Sequence, residues 1–476
     1  MAGEGATLPE GVFSLLDTDL YKLTMQCCVL KFFPSVPVTY SFTNRTPDKK
    51  LNRAAFLWLQ TQVEKLENLT VSTDELNFLK KTCPYLNPQY LEFLSTFRLE
   101  PSKQLKLIFN PTQDTGSEDD LGDFRIHVEG LWLDTILYEI PLLALVSEAY
   151  FKFVEKDWSH VGQVDKAHEK GRRLLEEGCI FSEFGTRRRR DYHTQDLVLR
   201  GLRRAADEAS SAGWKGKLTG TSNVHFAMKY AIVPIGTVAH EWFMGVAAIT
   251  DNYERANEIA LDYWTATFGE GVLSIALTDT FGTPTFLKAF KQPISEVATT
   301  TPGSATEQAS AAATAGFVDG VSKPRKTFAE VFTGVRQDSG DPLDFIKMMR
   351  EFYNGEGIKA KKTIVFSDSL NLDLCFKYKA AAEAEGFQPS FGVGTFLTND
   401  YVEKTTGNKS VPLNIVIKIA SASGRHAVKI SDNMGKNTGD NATVDQVKQR
   451  LGYKEKVWAG GDEKTRWGSG DQPATG

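Results

Sequence analysis

The chain is short of the residues that would tie it to several large protein classes. Among 476 residues there are five cysteines, Cys27, Cys28, Cys83, Cys179 and Cys375. Their number is odd, no pair is spaced as CxxC and their settings are apolar. This argues against a disulfide framework or thiolate metal site and fits reduced thiols. Long apolar runs are also missing. The most apolar window, 131–146, is interrupted by Asp134, Glu139 and Pro141, which leaves it too short and too charged to cross a bilayer. The first twenty residues lack a basic stretch followed by an apolar one, so no signal peptide is expected. Positive charge is not in excess either. The 55 Lys and Arg against 60 Asp and Glu leave a net charge of −5, which argues against a general nucleic-acid binder. The expectation is a cytoplasmic protein without membrane or nucleic-acid partners, with the nucleus as a second compartment.

What is present reads as a large enzyme. Hydrophobic residues make up 41% and charged residues 24%, and the length exceeds one ordinary core. In 1–150, helical spacing at 17–33, 53–68, 72–82 and 88–97 mixes with strand patterns at 38–45, 105–110 and 124–129, predicting an α+β domain. Tyr21 falls on the polar side of the first helix, where it reads as a surface aromatic. Over 151–435, apolar runs at 179–181, 217–218, 231–235, 272–277, 331–335, 363–366, 389–393 and 414–419 alternate with amphipathic helices. That pattern predicts a parallel sheet closing, or nearly closing, into a barrel. An Ala/Thr/Ser/Gly-rich insertion at 295–323 reads as a surface loop, and 436–476 as a segment packing back on the first domain and ending in a loosely ordered tail.

The chemistry stands at the C-terminal ends of the expected strands. Run 231–235 is followed by Gly236, Thr237 and His240, and run 272–277 by Asp279. Run 331–335 is followed by Arg336, Asp338, Ser339 and Gly340, run 363–366 by Asp368, and Gly392, Gly394 and Thr395 close the set. In a parallel barrel such ends meet at one mouth, where active sites form. Each aspartate alone could be a helix cap and His240 alone a core histidine. Asp279, Asp338 and Asp368 suit ribose hydroxyls or a Mg²⁺ ion that keeps most of its waters, and Arg336 offers a fork for a carboxylate or phosphate. The GVGT turn suits a phosphate but lacks the third glycine of a dinucleotide fingerprint. The Arg187–Arg190 run invites a nuclear-localisation or nucleic-acid reading. With Phe184 beside it as a flat surface, an anionic small molecule fits better.

The motifs DTDLYKLTMQ (from Asp17), FSEFGTRRRR (from Phe181), GTSN (from Gly220), PIGTVAHEW (from Pro234), TDTFGT (from Thr278), RQDSGDP (from Arg336), SDSLN (from Ser367) and FGVGTFLTND (from Phe391) run in order over about 12–435. Together they resemble the nicotinate phosphoribosyltransferase family. The resemblance implies an α/β fold class, an irregular α/β barrel packed against the N-terminal α+β domain, and a homodimer with sites at the interface. It implies the ATP-coupled joining of nicotinate to 5-phosphoribosyl 1-diphosphate, giving nicotinate mononucleotide and diphosphate, with Mg²⁺. His240 would be the phosphoryl acceptor, with Asp279 and Asp338 catalytic and holding Mg²⁺ mostly through water. Tyr21, Phe184, Thr237 and Arg336 would meet nicotinate. Arg187, Arg188, Ser222, Ser339, Gly340, Asp368, Gly392, Gly394 and Thr395 would meet phosphoribosyl diphosphate. The alternatives are the same chemistry on nicotinamide, and a phosphate-binding barrel aldolase or isomerase with Lys418 as a Schiff-base lysine.

Overall fold

The computed structural model describes residues 8–295, 325–432 and 437–453. The insertion expected at 295–323, apart from Ser295, and the expected tail lie outside the described residues.

Fourteen strands are described: β1 (Pro37–Asn44), β2 (Leu51–Asn52), β3 (Leu105–Pro111), β4 (Leu121–Leu131), β5 (Ile180–Glu183), β6 (Lys217–Thr221), β7 (Ile275–Leu277), β8 (Gly334–Gln337), β9 (Thr363–Phe366), β10 (Gln388–Val393), β11 (Tyr401–Val402), β12 (Lys409–Ser410), β13 (Ile415–Ala422) and β14 (Arg425–His426). An antiparallel sheet has the order β14-β13-β1-β4-β2, with β3 also paired to β4. A parallel sheet has the order β6-β5-β10-β9-β8-β7. The alternation expected along 124–129 is realised in β4, where every second residue from Gly122 to Val128 is buried. Local signals fix many helix starts. Ser72 and Glu75 form the capping box of Thr73–Thr82, and Asp191 caps Tyr192–Ala212, which ends on Gly213 at φ 68°.

Three expectations are corrected. The run at 414–419 does not join the parallel series. It lies within β13, antiparallel to β1 with Asn44 opposite Ile415 and Val38 opposite Ala422. The helices Glu139–Phe153 and His240–Thr250 pack on this strand, whose consecutive buried residues Ile415, Val416 and Ile417 mimic the start of a parallel-sheet strand. The run at 231–235 is not a buried strand. Ala231 has φ 49°, Val233 is exposed, and the segment runs beside β6 through one bridge between Thr221 and Pro234. Proline cannot donate to a ladder, and the helix Val224–Lys229 ends too close to allow a full strand. Gly220 permits this approach, because a Cβ there would sit 1.9 Å from the Val233 carbonyl oxygen. Finally, the expected strand 331–335 begins as the helical turn Phe328–Val331, capped by Thr327 and Glu330, and β8 starts only at Gly334.

Of the expected barrel, the structure shows the parallel sheet, a row of six strands. Among the described residues β6 and β7 form its edges. No described helix is long and apolar enough to cross a membrane. The second half of the apolar window 131–146 lies in the core helix Glu139–Phe153, whose residues from Glu139 to Phe151 are all buried.

Candidate active site

The C-terminal ends of the parallel strands open onto one cavity of about 630 Å³, and residues of the antiparallel sheet and its helices form its other wall. Of the residues expected from sequence, Tyr21, Phe184, Arg187, Arg188, Ser222, Thr237, His240, Arg336, Asp338, Asp368, Gly392, Gly394 and Thr395 line it. Asp279, Ser339 and Gly340 do not. Asp279 lies behind His240, its Oδ1 3.8 Å from Nε2, and Ser339 donates to Asp279 Oδ2 at 2.5 Å. The Gly340 carbonyl accepts from the Gln337 amide, with Gly340 at φ 80°.

His240 is the first residue of the helix His240–Thr250. Its Nδ1 lies 3.0 Å from Thr280 Oγ1. Its Nε2 lies 3.0 Å from Asp338 Oδ2 and 2.9 Å from Lys429 Nζ. One nitrogen cannot serve both partners: protonated it donates to Asp338, and unprotonated it accepts from Lys429. Burial and then the Lys429 ammonium push this imidazole down to about 4, against the pull of Asp279 and Asp338. His240 is therefore neutral at physiological pH. Burial would raise Asp338, but Arg336, His240 and Lys429 hold it well below the usual carboxylate range. Arg336 is itself oriented, its Nε donating to Ser367 at 2.8 Å and its Nη2 to Asp338 Oδ1 at 2.9 Å.

On the other wall, Tyr21 sits one residue into the helix Leu20–Phe32 and faces the cavity, correcting its reading as a surface aromatic. Burial, then Glu139, hold its hydroxyl well above the usual range, so it is a neutral donor. This helix comes close to Thr237 because a Cβ on Gly236 would lie only 3.1 Å from the Tyr21 nitrogen, and Thr24 donates to the Thr237 carbonyl at 2.7 Å. Ser222 donates to Asp19 at 2.7 Å and accepts, through its carbonyl, from Leu20 N at 2.8 Å. Gly392 has a packing cause: a Cβ there would meet the Phe184 ring at 2.3 Å. The ring lies over the strand end because Gly392 carries no side chain. Leu273 and Ser369, both on the cavity wall, hold positive φ values of 46° and 49°, the sort of backbone strain that gathers at functional sites.

The arginine run is not a nucleic-acid patch. Arg189 is fully buried and grips Asp17 with both Nη groups at 2.8 Å. Arg190 is equally buried, 3.6 Å from the Phe151 ring centre and 4.2 Å from that of Tyr401. Arg188 donates to Asn414 at 2.7 Å and to the Ile415 carbonyl, and only Arg187 turns mainly to the cavity. Sequence reasoning missed Asp19, Glu139, Glu241 and Lys429, all on the cavity wall. The charge at Glu139 inside an apolar window was a visible signal. Nothing around Lys429 marks it.

The model of the nicotinate phosphoribosyltransferase N-terminal domain matches residues 16–147, and that of the nicotinate phosphoribosyltransferase family matches 179–300 and 306–455. The chain belongs to the nicotinate phosphoribosyltransferase family. A Schizosaccharomyces pombe member is 46% identical over 92% of this chain and 98% of its own length. A Saccharomyces cerevisiae protein named nicotinate phosphoribosyltransferase is 43% identical over 95% of this chain and 98% of itself. Among family structures, one from Saccharomyces cerevisiae superposes with a TM-score of 0.82 at 42% identity, covering 94% of this chain and 100% of that one. The nicotinate phosphoribosyltransferase of Porphyromonas gingivalis gives 0.75 at 30% identity, covering 93% and 100%.

Proposed function

We infer that the protein joins nicotinate to 5-phosphoribosyl 1-diphosphate, releasing diphosphate, with ATP consumed through a phosphohistidine at His240. Family membership over nearly the whole chain supports the transferase activity. The observation that carries the ATP step is the neutral, buried imidazole whose Nε2 meets both Lys429 and Asp338 at the cavity wall.

In the reactive form Nδ1 keeps its proton and donates to Thr280, and Lys429 turns its ammonium from Nε2 to the incoming phosphate, which frees the Nε2 lone pair. The Nε2 lone pair attacks the γ-phosphorus, an N–P bond forms, and the bond to the β-phosphate oxygen breaks, with ADP leaving on that electron pair. The phosphoryl group brings roughly two negative charges to the site. Lys429 stands next to it, and Arg336 holds Asp338 on its other side.

For glycosyl transfer, the site's work is positioning and charge stabilisation. Tyr21, Phe184 and Thr237 would frame the pyridine ring, and Arg336 would meet its carboxylate. Arg187, Arg188, Ser222, Asp368 and the Gly392–Thr395 turn would hold the phosphoribosyl diphosphate, with Ser339 and Gly340 supporting from behind. The donor set suits Mg²⁺: Asp279 and Asp338 present hard carboxylate oxygens. Asp279 Oδ1 is buried without a hydrogen bond among the described residues, and the His240, Asp279 and Asp338 donor atoms lie within 4.8 Å of one another. When bound, the ion would neutralise charge on the departing diphosphate. The parallel row would be the scaffold of an irregular α/β barrel, in a cytoplasmic homodimer. One chain already supplies both cavity walls.

The test is diphosphate release from nicotinate and phosphoribosyl diphosphate with and without ATP, with a search for acid-labile phosphate on the protein. The expected result is ATP stimulation and a label that is absent in His240→Ala. Full ATP stimulation in that variant would sink the phosphohistidine step, and equal turnover of nicotinamide would favour the amide reading.

A further inference from the structure

We propose that Glu139 is a built-in counter-ion that competes with anionic ligands for Arg187 and Lys418 and so limits how tightly the site holds diphosphate. The inference rests on the transferase reading above.

Glu139 opens the helix Glu139–Phe153, is 5% exposed and lines the cavity. Its Oε2 lies 2.6 Å from Lys22 Nζ and its Oε1 3.7 Å from Arg187 Nη1. Lys22 does not need it. That ammonium, fully buried, also donates to Glu241, whose other oxygen accepts from Tyr40 at 2.6 Å and Trp132 at 2.8 Å. Two carboxylates on one ammonium leave one negative charge in surplus. The cations it faces across the cavity wall are Arg187 and Lys418, neither of which makes a hydrogen bond through its side chain among the described residues.

Lys418 reaches the cavity from β13. Burial pushes its amine down to about 8, and Glu139 is the foremost group opposing that push. Two cations without hydrogen-bonding partners beside a buried carboxylate are held charged in wait for an anion. An arriving diphosphate must take them from Glu139. A reversible transferase gains from this, because a site built only of cations would retain its diphosphate product.

The experiment is calorimetric titration of the full-length protein with inorganic diphosphate, beside inhibition of the forward reaction by diphosphate. Glu139→Gln keeps the side-chain shape and removes the charge. It is expected to bind diphosphate about tenfold tighter, near 1.4 kcal/mol. It should also turn over more slowly at saturation, because release slows. Glu139→Asp keeps the charge and should stay within about threefold of the parent, a pattern that lost packing would not produce. If Glu139→Gln does not fold, Glu139→Ala, which also leaves Lys22 paired with Glu241, is expected to tighten binding in the same way. Unchanged or weaker diphosphate binding in the folded variant overturns the counter-ion role and leaves the transferase reading standing. A parent protein that neither binds diphosphate nor releases it from phosphoribosyl diphosphate overturns both.

Discussion

Arg187 and Arg189 stand two residues apart in one basic run and live in opposite surroundings. Arg189 lies behind the loop, fully buried, with its guanidinium committed to Asp17, Gln195 and the Gly11 carbonyl. Arg187 lies in front, with 35% of its side chain exposed, and its nearest carboxylate oxygen is 3.7 Å away. The same contrast holds between the two charged clusters on either side of the loop. Behind it, Asp17, Arg189, Asn223 and Thr186 bind one another and tie the start of the Leu20–Phe32 helix to the end of β6. In front, one nitrogen of His240 has two claimants and Asp279 Oδ1 has no hydrogen-bond partner among the described residues. Charges engaged with each other hold a fold together. Charges left partly unmatched at a cavity wall are available to a ligand.

This contrast can be broken most severely at the back. Arg189→Met strands Asp17, whose carboxylate is held below its usual range by Arg189 against burial. A loss of about 3–5 kcal/mol in unfolding free energy is expected, read by chemical denaturation. Arg187→Met should leave the same measurement within about 0.5 kcal/mol, as for a substitution away from a buried network, while raising KM for phosphoribosyl diphosphate. If the two variants are equally unstable, the division of the run is wrong.

A smaller effect is expected at Gly392. Gly392→Ala places a methyl group on the Phe184 ring, so the ring must move. KM for nicotinate is expected to rise more than KM for phosphoribosyl diphosphate, with a stability cost of about 1–3 kcal/mol from overpacking. Equal changes in both constants would separate Phe184 from the pyridine.

The smallest effect concerns pH and a carboxyl far from the cavity. Glu148 is buried, and burial, then Asp191, push it up to about 8 from a normal 4.5. The folded state therefore holds more protons than the unfolded state between those values, and stability falls as pH rises from 4.5 through 8. Glu148→Gln mimics the protonated form and should flatten that fall, raising Tm at pH 8 by a few degrees and leaving it nearly unchanged at pH 5. Equal shifts at both pH values would assign the gain to packing.

Much of the fold was legible because its signals are local. The capping box at Ser72 and Glu75, the Asp191 cap and the alternation along β4 each need only neighbouring residues. One error fell where a distant segment decided the outcome, and another where a local signal was passed over. β13 reads as one more parallel strand until β1, more than 370 residues earlier in sequence, takes it into the antiparallel sheet. The 231–235 run looks like a strand until Pro234 and the left-handed Ala231 limit it to one bridge. In the site, strand-end residues such as His240 and Asp338 stood out by their recurrence. Lys429 did not, since it belongs to no repeated pattern, and Glu139 showed only as a charge inside an apolar window.

The sequence by itself determined the succession of strands and helices and the polar residues that follow the strands, because backbone preference and side-chain periodicity act over a few residues. Only the tertiary structure decided which arginine is buried and which faces the cavity, and that Lys429 meets His240 across 189 positions of chain. Those outcomes depend on desolvation and on hydrogen bonds between remote segments, and neither is defined until the two sheets face each other.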